Sequence, residues 1–126
     1  MRSGHEDAKS VLIVEDDDLT REALRSMVEK NGYPTEAVAN GREALNYLHR
    51  NGRPGLILLD LMMPVMNGWE FRSQQRHDPA LARIPVVVCS AVGDIQQEVS
   101  LIGADGCLKK PIDTRELLDT VRHFCR

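Results

Sequence analysis

Aromatic side chains are scarce in this chain of 126 residues, where Trp, Tyr and Phe together make up 4%. A folded core must therefore be assembled from Val, Leu, Ile, Ala and Met. No apolar stretch approaches the roughly 20 residues needed to span a bilayer. Residues 1–10 (MRSGHEDAKS) also lack the apolar segment of a secretion signal. Cysteine is sparse and odd in number, and Cys89, Cys107 and Cys125 lie far apart. Neither CxxC nor a Cys/His zinc spacing occurs, so all three read as small, part-buried hydrophobes in a reducing compartment. Excess positive charge is missing too. The 16 Lys and Arg are outnumbered by 19 Asp and Glu, for a net charge of −3, which is no footprint for direct nucleic-acid binding. The length suits one domain and excludes a two-domain enzyme. A cytoplasmic protein with no membrane partner is expected.

What is present is a regular alternation of short apolar runs and amphipathic segments. Val11-Leu12-Ile13-Val14, Leu56-Ile57-Leu58-Leu59 and Ile84 to Cys89 read as fully buried strands, being short, continuous and rich in branched side chains. Thr35 to Ala39 and Gly106 to Leu108 are weaker strand candidates. Leu19, Ala23 and Met27, with the offset pair Leu24 and Val28, repeat at helical spacing and stop near Asn31-Gly32. Arg42 to Arg50, Gly68 to Arg76 and Ile95 to Ile102 give three more helices. The last helix opens with Asp113 and Glu116 at capping-box spacing and buries Leu117, Leu118, Val121 and Phe124 or Cys125. Five strands alternating with five helices predict an α/β fold, a doubly wound parallel sheet of flavodoxin-like topology.

Ligands of such sheets bind at the carboxyl ends of the strands, and here those ends are chemically lopsided. The first strand runs into Glu15-Asp16-Asp17-Asp18, the third into Asp60, the fourth into Ser90, and the fifth into Lys109-Lys110-Pro111. Asp17 and Asp18 are accounted for by the N-terminal dipole of the first helix. Glu15 and Asp16 directly follow VLIV, and Asp60 closes a run of buried aliphatics, where an unpaired carboxylate is costly. A hard divalent cation relieves the repulsion among such acids, and carboxylate-plus-carbonyl sets suit Mg²⁺. Ser90 or Lys110 alone would carry no information. Together with the acids they furnish a crevice for phosphoryl chemistry.

VLIVEDD, LILLDLMMPVMNG, VVVCSA and GCLKKPI resemble the signature of response-regulator receiver domains of two-component signalling, over about residues 10 to 125. The resemblance implies that Asp60 accepts a phosphoryl group from a phosphohistidine on a sensor histidine kinase or histidine phosphotransfer protein. It implies a Mg²⁺ site from Glu15, Asp16, Asp60 and the backbone carbonyl of Met62, with Asp16 the more direct acidic ligand of the pair. It makes Lys110 the cation that pairs with the phosphoryl oxygens and Ser90 the switch hydroxyl. Pro111 would follow a cis peptide bond. Catalysis would extend only to the domain's own phosphorylation and dephosphorylation.

Three positions bear on that pattern. Cys107 stands where receivers usually carry a switching aromatic side chain, and a cysteine cannot reproduce that swing. Met62 and Val92, at positions that tune phosphoryl lifetime, are apolar and cannot orient an attacking water, so a long-lived phosphorylated state is expected. Gly68 and Trp69 keep the family turn. A phosphohydrolase with an aspartyl-phosphate intermediate would need an acid two residues after the nucleophile, whereas Asp60 is followed by Leu61-Met62. A flavin binder would need a phosphate loop after the first strand, and four acids there repel phosphate. A pseudo-receiver, folded but unphosphorylated, is the remaining alternative. The expected organisation is a polar leader over residues 1–9 and a receiver over 10–126, either free-standing or cut from a larger regulator or hybrid kinase.

Overall fold

The computed structural model describes residues 6–91 and 102–125, with residues 6–9 as backbone only. Five strands form one parallel sheet: β1 (Glu6–Val14), β2 (Thr35–Val38), β3 (Arg53–Asp60), β4 (Val86–Ser90) and β5 (Gly106–Lys109), in the order β2-β1-β3-β4-β5. Four helices are described: α1 (Asp18–Lys30), α2 (Gly41–Asn51), α3 (Gly68–His77) and α4 (Thr114–Phe124). The helix expected over Ile95 to Ile102 lies outside the described residues, except for Ile102 itself, which is helical. The α/β class and the doubly wound topology are as the sequence indicates.

The continuous apolar runs follow from burial on both faces. Side chains alternate across a strand, so Leu12, Val14, Ile57, Leu59, Val86 and Val88 join one core with Ala44, Leu45 and Leu48 of α2 and Phe71 of α3. Val11, Ile13, Leu56, Leu58, Val87 and Cys89 join the other, against Leu24 and Val28 of α1 and Leu117, Val121 and Cys125 at α4. Either face alone would have produced an apolar/polar alternation.

Two helix faces differ from expectation. Leu19 is 84% exposed and Ala23 is also exposed, so α1 buries the offset pair Leu24 and Val28 instead. At the chain's end Cys125 is buried, while Leu118 and Phe124 are only half-buried. The strands also run longer than their apolar centres. β1 begins at Glu6, where its backbone pairs with Arg53, and the register shifts between Asp7 and Val11. Polar residues can occupy that extension because backbone pairing requires no apolar side chain. β4 begins at Val86, two residues after Ile84.

Asparagine and aspartate set the helix starts. Asp17, Asn40, Asn67 and Asp113 each accept a bond from a backbone N–H of the first turn. Asn67 and Glu70 complete a reciprocal capping box at α3.

The connection from β3 to α3 is tightly constrained. Met66 N donates to Pro64 O at 2.7 Å across Val65, whose φ of 69° lies in the left-handed region. That backbone is strained for a β-branched residue. The buried Met66 carbonyl accepts from Gly41 N at 3.0 Å, and Gly68 N donates to Leu61 O at 3.0 Å. A Cβ on Gly68 would stand 2.7 Å from the Asp60 carbonyl oxygen and 2.8 Å from Leu61 Cα. Backbone atoms cannot yield as a flexible side chain can. Gly68→Ala is therefore expected to lower stability by about 1 to 3 kcal/mol, measured by urea denaturation. An unchanged midpoint would show that this loop is looser than its contacts indicate.

Candidate functional site

The carboxyl edge of the sheet gathers the acids. β1 ends at Val14, and the next residue, Glu15, is 2% exposed. Asp60 ends β3 and is 6% exposed, whereas Asp16 faces solvent. One carboxylate oxygen from each of Glu15, Asp16 and Asp60 lies within 4.8 Å of the others. All three donors are hard oxygens and one side is open, a set that could hold a metal ion.

Lys110 supplies the opposing charge. Its Nζ donates to Glu15 Oε1 at 2.7 Å and stands 3.5 Å from Asp60 Oδ2. Asp60 Oδ1 accepts from Met62 N at 3.3 Å, and Glu15 Oε2 accepts from Asp17 N at 3.0 Å. Lys110 lies just past β5, its own N–H bonded to the Ser90 carbonyl at 3.0 Å, and the Lys110–Pro111 peptide is cis. Ser90 ends β4 and is 1% exposed, one residue beyond Cys89, the register partner of Asp60. Cys107 pairs in register with Val88 on β5 and is half-buried. Val92 lies outside the described residues.

The electrostatics follow from this crowding. Burial, reinforced by the charge of Glu15, pushes the Asp60 carboxyl up to about 6, and Lys110 and the Met62 N–H only partly oppose the rise. Burial disfavours the Lys110 ammonium, but its bond to Glu15 and the nearby Asp60 outweigh that and raise its pKa. Beneath the site, burial pushes the Cys89 thiol up to about 12, leaving it an inert packing group.

Arg21 was not singled out by sequence reasoning. It donates to the Glu15 carbonyl at 2.9 Å and pairs with Asp18, so it braces the acidic turn from α1. Its only sequence signal is the three-residue spacing from Asp18. Asp17 caps α1 through Thr20, accepting from its N at 2.8 Å and its Oγ1 at 2.7 Å, which leaves Asp17 outside the acidic cluster.

A folded-state pKa raised from 3.8 to about 6 means that ionising Asp60 opposes folding. The sign is fixed: the folded chain holds this proton more tightly than the unfolded one. The destabilisation grows as pH climbs from about 4 to about 6 and is complete above that. Asp60→Asn is accordingly expected to stabilise the metal-free protein at neutral pH by roughly 1 to 3 kcal/mol, and hardly at all at pH 4. Thermal denaturation in EDTA at both pH values checks it, and equal effects at the two would contradict the assignment.

Comparison with known proteins agrees with this architecture. The Response regulator receiver domain family matches residues 11–122. The chain is 35% identical over 119 residues to the polar-differentiation response regulator DivK of Brucella anthropi, covering 92% of this chain and 95% of that protein. Among solved structures, the signal receiver domain of a signal transduction histidine kinase from Syntrophus aciditrophicus aligns with a TM-score of 0.84 at 37% identity, covering 93% of this chain and 89% of that one. The chemotaxis response regulator CheY4 of Vibrio cholerae aligns with a TM-score of 0.81 at 32% identity, covering 91% and 97%. No described helix is long and apolar enough to cross a membrane. With the match running from the first buried strand into the last helix, the chain belongs to the response regulator receiver domains of two-component signalling, which are not classical enzymes.

Proposed function

We propose that this receiver takes a phosphoryl group onto Asp60 from a phosphohistidine of a sensor histidine kinase or histidine phosphotransfer protein, with Mg²⁺ in the acidic cluster. The observation that carries the reading is the placement of Lys110 against the Glu15/Asp16/Asp60 cluster, 3.5 Å from Asp60 Oδ2. An Asp60 oxygen attacks phosphorus, the P–N bond breaks, and its electron pair returns to the imidazole of the donor. Glu15, Asp16, Asp60 and the Met62 carbonyl would hold the ion, which neutralises charge on the transferred group when bound. Lys110 stabilises the phosphoryl oxygens from the other side. To do so it exchanges part of its bond to Glu15 for bonds to the new dianion. Ser90 is the hydroxyl within the same crevice that can bond the phosphoryl group.

The donor must approach over the open side of the cluster. Leu19 at the start of α1, and Met62 and Val65 after β3, follow the strand ends that carry the acids and are 84%, 64% and 77% exposed. An apolar rim around a charged centre fits a helical partner that presents its histidine among aliphatic side chains. Leu19→Asp is expected to slow transfer from the partner kinase about tenfold while leaving phosphorylation by acetyl phosphate unchanged. Equal slowing with both donors would place Leu19 in the chemistry instead of the docking.

Incubation with Mg²⁺ and acetyl phosphate should add one phosphoryl group to the intact protein by mass spectrometry, and none in Asp60→Asn or in EDTA. A folded wild type that gains no mass would be a pseudo-receiver that binds its partner constitutively. Met62 is exposed and apolar, and cannot orient water by a hydrogen bond. The adduct is therefore expected to persist for minutes or longer. Decay within seconds in Mg²⁺ would contradict that.

A further inference from the structure

A second cluster of charge lies on α3 and shares no residue with the acidic site. Trp69, Arg72, Ser73, Arg76 and His77 fall at i, i+3, i+4, i+7 and i+8, a single helical face. With Ile102 they line a cleft of about 340 Å³, within the size range of small-molecule sites, roughly 300 to 1,000 Å³.

The charges there are unbalanced in a specific way. Arg72 is only 7% exposed, yet among the described residues its guanidinium bonds uncharged acceptors alone: Ile102 O at 3.3 Å, Gly103 O at 2.7 Å and Gln75 Oε1 at 2.8 Å. No carboxylate stands at ion-pair distance from it among the described residues. Asp105 acts on it only at longer range, and its own Oδ2 is bonded to Val86 N at 2.9 Å. Arg76, one turn further along, reaches over Gly103, has no ion pair among the described residues and repels Arg72. His77 Nδ1 is bonded to Ser73 O at 2.7 Å, which leaves Nε2 available. A buried guanidinium without a counter-ion is costly. A second guanidinium beside it raises that cost, and an anion seated between them removes it.

We propose that this cleft binds a nucleotide, its phosphate held by Arg76 with Arg72 behind it and its base stacked on Trp69. Arginine offers the planar double donor that phosphate takes, and an indole face accepts any base. Trp69 is the chain's single tryptophan and lines the cleft, so a ligand seated there should change its fluorescence. Because Arg72 also binds the Ile102 and Gly103 carbonyls, occupancy would bear directly on the backbone leading into β5.

The test is a titration of the full chain with AMP, GMP and ADP in EDTA, which removes any route through a metal at the acidic cluster. Tryptophan quenching and calorimetry are read together, with adenosine and inorganic phosphate as separate arms. Saturable binding below about 1 mM is expected, weakened about tenfold or more by Arg76→Ala, partly restored by Arg76→Lys, and unchanged by Asp60→Asn. Arg76 is exposed, so its replacement leaves the core intact. Absence of saturation, or indifference to Arg76→Ala, would overturn the site. Phosphate binding as tightly as AMP would overturn the assignment to a nucleotide.

Discussion

Two carboxylates, Glu15 and Asp60, are buried at the carboxyl edge of the sheet and share one ammonium, Lys110. Asp16 adds a third acid from the solvent side. A buried ion pair repays its desolvation only when the geometry is good and the remaining lone pairs are satisfied. Here the satisfaction is arranged with some care. Glu15 receives Lys110 and the Asp17 N–H, and Asp60 receives the Met62 N–H. Burial, and after it the neighbouring Glu15 charge, still leave the Asp60 pKa raised. The same carboxylates that cost stability form the set that could hold a metal ion, and such an ion would offset their mutual repulsion.

The rest of the fold holds those groups in place. β1 and β3 lie side by side in the centre of the sheet, so Glu15 and Asp60 arrive from neighbouring strands, and Lys110 arrives past the edge strand β5. Arg21 pins the acidic turn through the Glu15 carbonyl. On the other side, Gly68 packs against the Asp60 carbonyl so closely that no side chain fits between them. The strained Val65 turn spans the gap between Leu61 and α3. Strain of order 1 to 3 kcal/mol per such residue persists only where surrounding contacts determine the backbone, and here the buried Met66 and its bond to Gly41 provide them.

The sheet was legible in the sequence because VLIV, LILL and VVV are buried on both faces, a pattern that few other structures demand. Glu15 and Asp60 were legible because each directly follows such a run, and Ser90 and Lys110 gained meaning only beside those acids. Helix faces were less so. Leu19 and Ala23 lie at helical spacing, but the offset pair Leu24 and Val28 has the same four-residue spacing, and periodicity alone does not say which stripe meets the sheet. Strand ends were hidden because backbone pairing, as of Glu6 with Arg53, requires no apolar side chain. Arg21 and Arg72 left almost no trace, since a surface arginine and one that braces carbonyls look alike in a sequence.

Arg72 and Glu15 pose the same physical problem and resolve it differently. Glu15 is buried with a charged partner, and its burial is stabilised by the Lys110 pair. Arg72 is buried among neutral carbonyls, and that burial lowers its pKa. The Ile102 and Gly103 carbonyls carry partial negative charge, so they compensate a guanidinium in part. Partial compensation is enough to hold the side chain and too little to neutralise it. Among the described residues, the acidic cluster falls short of balance by unpaired negative charge and the α3 face by unpaired positive charge. These opposite deficits sit on different surfaces of one small domain with a net charge of −3. A cation at the acidic cluster and an anion at Arg76 would draw on separate residues and would not compete.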